Sequence, residues 1–351
     1  MPAERVLSER ELNRATLARQ LLLERSAASI EDVLEQMGGL QDQYAPSGYV
    51  GLWSRMANVP RASLTRALED RRVVQATLIR STIHLVSAGD YWSFIAGVRA
   101  ARQEWWLRTR RHDPPADVVQ QAAAAVRKRL EEGPQRQADL IRTVEELGHS
   151  RTVWNAVGLW LHMVRVPPSG TWERRKADLY ALADTWLGPC TTGEHEGIRH
   201  LVTRYLGGFG PAPVRDIAAW AGIPVGAIRP VVEELGLRRF EDEEGRELVD
   251  VPWGAPLPDA DTPAPVRFLP TWDATLLVHG RRTQILPERF RPLVFNTRTP
   301  HSKPVFLVDG AVAGTWRYEK GRVDLAPFEP LPANVRQELE DEAGGLAAFH
   351  H

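Results

Sequence analysis

Leucines at 7, 12, 17, 21 and 22 recur at helical spacing behind a Ser8–Glu11 capping-box pattern, which predicts a helix over 8–25. Ser29 with Asp32 repeats the cap signal ahead of Val33, Leu34 and Met37, and Gly38-Gly39 stops that second helix. Further helical stretches cover 46–56 and 61–71, and two strand-like runs follow at 73–79 and 82–86. Helices followed by a two-stranded ribbon are the winged-helix pattern, a helix-turn-helix carrying a β wing.

The pattern recurs twice. A long connecting helix over 90–108 carries Trp92, Trp105 and Trp106, which read as core or interface residues. Helices over 116–132, 137–147 and 152–163 then precede ribbon strands at 164–166 and 179–182, separated by the turn Pro167-Pro168-Ser169-Gly170. Helices at 193–206, 214–221 and 224–235, with strands at 238–240 and 247–251, make a third copy. Prolines crowd 252–265, a linker signal. Beyond it lie strand candidates at 266–269, 275–278, 305–308 and 312–318, with Asp309-Gly310 as a hairpin turn. The fold class expected is mainly α with β wings (α+β). It divides as 1–90, 91–190 and 191–252 for three tandem winged helices and 253–351 for a C-terminal β-rich region with a basic hairpin.

Composition narrows the function classes. With 351 residues, 43% hydrophobic and 25% charged, the chain reads as a soluble globular protein of two or three units. No apolar run approaches the roughly 20 residues of a membrane span, and the charged first residues lack a signal-peptide core. A cytoplasmic protein without membrane contact is expected. Cys190 is the only cysteine, which excludes an intrachain disulfide and a thiolate metal cluster. The net charge of −1 argues against uniform affinity for nucleic acid, but the charge is uneven: 99–111 and 165–176 are basic, 241–250 acidic. Only four of the 44 basic residues are lysine, so nearly every cation is a bidentate guanidinium suited to phosphate.

The candidate chemistry sits in Gly38-Gly39-Leu40-Gln41-Asp42-Gln43-Tyr44-Ala45-Pro46. Two glutamines near a helix end ordinarily cap a neighbouring backbone or face solvent. Here Leu40 and Tyr44 bracket them with apolar bulk, and glycines and Pro46 imply a fixed, turned backbone. Alternate residues of an extended segment share a face, so Gln41 and Gln43 point together and Asp42 points away. Asp42 and His84 join them as catalytic or cleft candidates, His84 with a structural reading beside it. Arg80, Arg174, Arg175 and Lys176 are candidate phosphate contacts, and Arg298, His301 and Lys303 lie on a polar, proline-bounded excursion over 296–304 that reads as a solvated loop or a finger for a DNA groove. Asp273 and His279 resemble an acid–histidine pair, with structural hydrogen bonding the better reading. Trp53, Trp154 and Trp160 suit either a core or a cleft wall.

Four segments resemble the AlkZ-like family of winged-helix DNA glycosylases. They are LNRATLARQLLLERS…GLQDQYAPSGYVGLWSRM within 12–56, LIRSTIHLV at 78–86, VRVPPSGTWERRKADLY at 164–180 and FLPTWDATLLVHGRRTQILP at 268–287. The resemblance covers almost the whole chain. It implies three winged helices in a C-shaped scaffold, a C-terminal β-hairpin and catalytic roles for Gln41 and Gln43. It also implies a cofactor-free, monofunctional enzyme that acts as a monomer on duplex DNA. Such enzymes remove bulky N7-alkylated purines, unhook interstrand crosslinks and protect producers of genotoxic natural products. Asp42 departs from the family pattern, in which the middle residue is apolar. A winged-helix transcriptional regulator and a drug-sequestering resistance protein are the competing readings, because fold alone does not settle function.

Overall fold

The computed structural model describes residues 3–111, 113–277, 283–295 and 302–351. Of the three segments the sequence suggests ahead of the C-terminal part, the first contains β1 (Val6–Leu7), α1 (Glu9–Arg19), α2 (Ile30–Met37), β2 (Leu40–Gln41), α3 (Ala45–Arg55), α4 (Ala62–Glu69), β3 (Val73–Thr77) and β4 (Ile83–Ser87). The second contains α5 (Ala88–Thr109), α6 (Ala116–Glu131), β5 (Gln135–Arg136), α7 (Gln137–Glu146), α8 (Arg151–Trp160), β6 (Met163–Arg165), β7 (Leu179–Leu182) and α9 (Ala183–Leu187). The third contains α10 (Glu194–Phe209), α11 (Val214–Ala221), α12 (Val225–Glu234), β8 (Arg238–Asp242) and β9 (Glu247–Asp250). The C-terminal part holds β10 (Arg267–Leu269), α13 (Arg291–Val294), β11 (Val305–Val308), β12 (Ala311–Glu319), β13 (Arg322–Pro327) and α14 (Ala333–His350). The fold is mixed α+β, and no described helix is long and apolar enough to cross a membrane.

Local chemistry sets these elements. Ser8 and Glu11 complete the capping box of α1, and the Ser29 hydroxyl accepts the Asp32 N–H at the start of α2. Gly38 and Gly39 both hold positive φ (74° and 82°), and a Cβ on Gly39 would lie 2.9 Å from the Val86 side chain. This turn lays β2 beside β4. The helix expected over 8–25 stops at Arg19 instead. The leucine spacing continues, but Arg19 is drawn to Asp250 at 2.6 Å and Gln20 donates to Gly208 O at 2.8 Å, so tertiary contacts turn the chain there.

Among the described residues three sheets organise the molecule, and two of them cross the segment divisions. A six-stranded sheet of order β2-β4-β3-β6-β7-β5 fuses the first two segments. The seam is the antiparallel β3–β6 pairing, Gln75 opposite Arg165 and Ala76 opposite Val164. In the third segment β1 adds in parallel to β8, tying the N-terminus to the β8–β9 ribbon. The C-terminal sheet runs β10-β11-β12-β13, with the Asp309-Gly310 turn where the sequence places it. The largest apolar core lies between one face of the six-stranded sheet and α5, α10 and α11. There Gly97 and Gly197 let α5 and α10 touch backbone to backbone, since a Cβ on Gly197 would come within 2.4 Å of Gly97 N.

The strand expected at 275–278 does not form over its described part, 275–277. Asp273 Oδ1 accepts the Thr275 N–H at 3.0 Å and Leu276 N–H bonds Asp273 O, which turns the chain. Asp273 forms a fully buried ion pair with Arg55 (2.9 Å), and His279 lies outside the described residues. Trp106 and Trp154 are core residues and Trp53 packs on Phe349, whereas Trp105 is 49% exposed.

Candidate functional site

The site is built on β2, the edge strand of the six-stranded sheet. Gln41 lies directly opposite His84, and Leu40 opposite Leu85. Directly opposed residues share a face and neighbours alternate, so Gln41 and His84 line one face while Leu40, Asp42, Leu85 and Gln75 line the other. The expected divergence of Gln41 and Asp42 follows from this register.

Gln41 is nearly buried, at 8% exposure. Its Oε1 accepts a hydrogen bond from Arg80 Nη2 at 3.0 Å. Gln43 is exposed, and its Oε1 accepts the Ile83 backbone N–H at 3.0 Å. Both carboxamides are therefore oriented by donors of the protein itself. Tyr44 is 41% exposed and accepts a 2.7 Å hydrogen bond from Arg175, whose guanidinium also lies 5.8 Å from the Tyr44 and Trp172 ring centres.

Asp42 is 2% exposed and anchored twice. Gly48 N–H, in the first turn and a half of α3, donates to Oδ1 at 3.0 Å, and Gln75 Nε2 donates to Oδ2. Burial pushes its carboxyl up to about 7, against the opposing pull of the Gln75 and Gly48 hydrogen bonds and the Arg165 charge. Asp42 thus clamps β2 to α3 and to the β3–β6 seam. Gln75, the one polar residue in the buried run of β3, escaped the sequence reading; its break in an apolar strand was the available signal.

His84 is 3% exposed, and burial together with the Arg80 and Arg102 charges pulls its pKa down to about 3. The ring is neutral at physiological pH. Its Nδ1 lies 3.0 Å from Thr82 O, so Nδ1 carries the proton and Nε2 is the ring's acceptor.

Among the candidate DNA contacts, Arg174, Arg175, Lys176 and Lys303 are exposed. Arg80 is turned inward, with Nη1 donating to Trp220 O of α11 and Nη2 to Gln41. Arg298 and His301 lie outside the described residues. A cavity of about 740 Å³ begins at Tyr44, the residue after Gln43, with Trp172, Arg175, Lys303, Trp316 and Tyr318 among its lining and neither glutamine in it. Its walls join α3, the 164–180 loop and the C-terminal sheet, which the sequence alone did not bring together.

The sheet-edge site and its basic, aromatic surroundings are those of a protein that handles DNA. The family model described as "DNA glycosylase AlkZ-like" matches residues 34–349, and the chain belongs to that family. A curated relative from Streptomyces sahachiroi, "Interstrand DNA cross-link repair glycosylase", is 24% identical over 94% of this chain and 93% of its own. The solved structure of the Streptomyces sahachiroi DNA glycosylase AlkZ superposes with a TM-score of 0.80, at 20% identity, covering 98% of this chain and 97% of that one. The protein is a DNA repair glycosylase, and DNA is its partner.

Proposed function

We propose that this glycosylase hydrolyses the N-glycosidic bond of bulky N7-alkylated purines, with Gln41 and Gln43 at the reacting centre. The observation that carries the reading is a pair of oriented carboxamides to which, among the described residues, no carboxylate or histidine is hydrogen-bonded. Asp42 faces the opposite side of the sheet, and His84 is held neutral. N7 alkylation already places a positive charge on the base, so the leaving group needs no general acid. A water oxygen bonds to C1′ while the C1′–N9 bond breaks. The electron pair leaves with the purine and neutralises its charge, and the water's proton passes to solvent. Positioning of the water and fixed dipoles at the breaking bond supply the rate. The mechanism uses water and no lysine nucleophile, so the product is an abasic site. The neighbouring cavity offers room for the appendage of a bulky adduct, so that the base need not enter a tight pocket. The relative's printed activity on interstrand crosslinks extends to this chain on the same reading, as does self-resistance to a DNA-alkylating natural product.

An oligonucleotide carrying a bulky N7-alkylguanine, incubated with the protein and then treated with alkali, should break at the lesion. No breaks with any bulky N7 adduct would overturn the substrate assignment. Phosphate contacts fall to Arg174, Arg175, Lys176 and Lys303, with Arg298 and His301. Arg174→Ala and Lys176→Ala should each lower the slope of log affinity against log salt by about 0.9 on duplex DNA. An unchanged slope, read by fluorescence anisotropy, would remove those two residues from the interface.

A further inference from the structure

The polarity of Gln41 rests on one residue. Arg80 sits in the 3-10 turn Ile79–Ser81 with φ 50°, a left-handed conformation that a long side chain rarely adopts. Its guanidinium bridges two segments: Nη1 donates to the Trp220 carbonyl at the end of α11, and Nη2 donates to Gln41 Oε1 at 3.0 Å. Gly222 leaves room for this reach, since a Cβ there would lie 3.1 Å from Arg80 Cγ. Burial pulls the Arg80 pKa down to about 10, and no carboxylate among the described residues offsets that cost.

Arginine offers only donors, so the Gln41 amide must turn its oxygen toward Arg80 and leave Nε2 for whatever approaches from outside. A guanidinium on the oxygen also polarises the amide and strengthens its N–H groups as donors. The positive end of that dipole repels a cationic sugar and attracts an electron-rich acceptor. We propose that Arg80 is a positioning residue that fixes Gln41 as a hydrogen-bond donor to the departing purine, and that α11 takes part in the site through it. This rests on the reading of Gln41 as a catalytic residue, and it leaves the water to Gln43, whose exposed Oε1 keeps a lone pair beyond the one that takes the Ile83 N–H.

Two comparisons test it, both by single-turnover excision of N7-alkylguanine. Gln41→Glu keeps the shape and an oxygen facing Arg80 but replaces the N–H donors by a second oxygen. It should fall as far as Gln41→Ala, about 10²-fold. Retained activity in Gln41→Glu beside a dead Gln41→Ala would overturn the donor role alone, whereas full activity in Gln41→Ala would overturn the site itself. Arg80→Met should lower the excision rate about 10-fold or more with unchanged DNA affinity and salt slope, and Arg80→Lys should recover part of it. Methylguanidinium added to Arg80→Ala should restore rate, which serves as the readout if the methionine variant folds poorly. A lower affinity with a shallower salt slope and an unchanged excision rate would make Arg80 a phosphate contact, and no rescue by methylguanidinium would likewise overturn the positioning role.

Discussion

A Gln41→Ala/Gln43→Ala double variant should lose excision of N7-alkylguanine by about 10³-fold or more while binding duplex DNA as tightly as the parent. Each carboxamide is held by a donor of the fold, Gln41 by Arg80 and Gln43 by the Ile83 N–H, so each acts as a fixed dipole that needs no reorganisation during reaction. Removing one such group from a preorganised site costs about 10²-fold. The two losses should combine less than multiplicatively, because both side chains act on one breaking bond. Binding should survive because the proposed phosphate contacts are the exposed cations Arg174, Lys176 and Lys303, not the glutamines. The measurement is a pair of assays on one preparation: alkaline cleavage for excision, and anisotropy at fixed salt for affinity. Full excision by the double variant would sink the assignment. Loss of both activities together would point to a disturbed edge strand, a result that circular dichroism and melting would separate from a chemical one.

The first helices were legible in the sequence because their signals are local. Ser8 with Glu11, Ser29 with Asp32, and the Gly38-Gly39 stop act within a few residues, and the structure uses all of them. What crosses between segments was not legible. The pairing of Gln75 with Arg165 joins strands about ninety positions apart, and nothing in either strand names its partner. The strand β2 spans two residues, too short for any alternation to register, yet its pairing with β4 fixes which way each side chain of the site points. The helix α14 shows the same limit. Of its 18 residues only Leu339, Ala343 and Leu346 are buried, too sparse an apolar stripe to announce a helix, and Gly344-Gly345 argues against one. At 275–277 the error ran the other way. A short apolar run suggested a strand, and a single carboxylate, Asp273, captured the backbone into a turn. The candidate site was half legible. Its two glutamines stood out, while the groups that orient them, Arg80 and the Ile83 N–H, come from elsewhere in the fold.

Asp42 carries the second large effect, on stability and its dependence on pH. Its two oxygens take the Gly48 N–H and the Gln75 amide in a setting with almost no water. Asp42→Leu, which restores an apolar residue between the glutamines, leaves both donors buried without acceptors and should cost about 2–5 kcal/mol. Excision should fall with it, because β2 loses its tie to α3. Asp42→Asn is the informative contrast. Its Oδ1 can still accept from Gly48, and the Gln75 amide can turn to accept from Nδ2, so folding and excision should be largely kept. The folded carboxyl is raised by burial from 3.8 to about 7, so the native state binds this proton more tightly than the unfolded chain does. The stability that comes from the proton is fully present below the unfolded value and is lost as pH rises through about 7. The amide of Asp42→Asn does not titrate, so the variant should gain on the parent in melting temperature between pH 5 and pH 8. Parallel melting curves across that range would show that Asp42 does not take up a proton on folding. An Asp42→Leu protein as stable and active as the parent would show that the clamp onto α3 and β3 contributes nothing measurable.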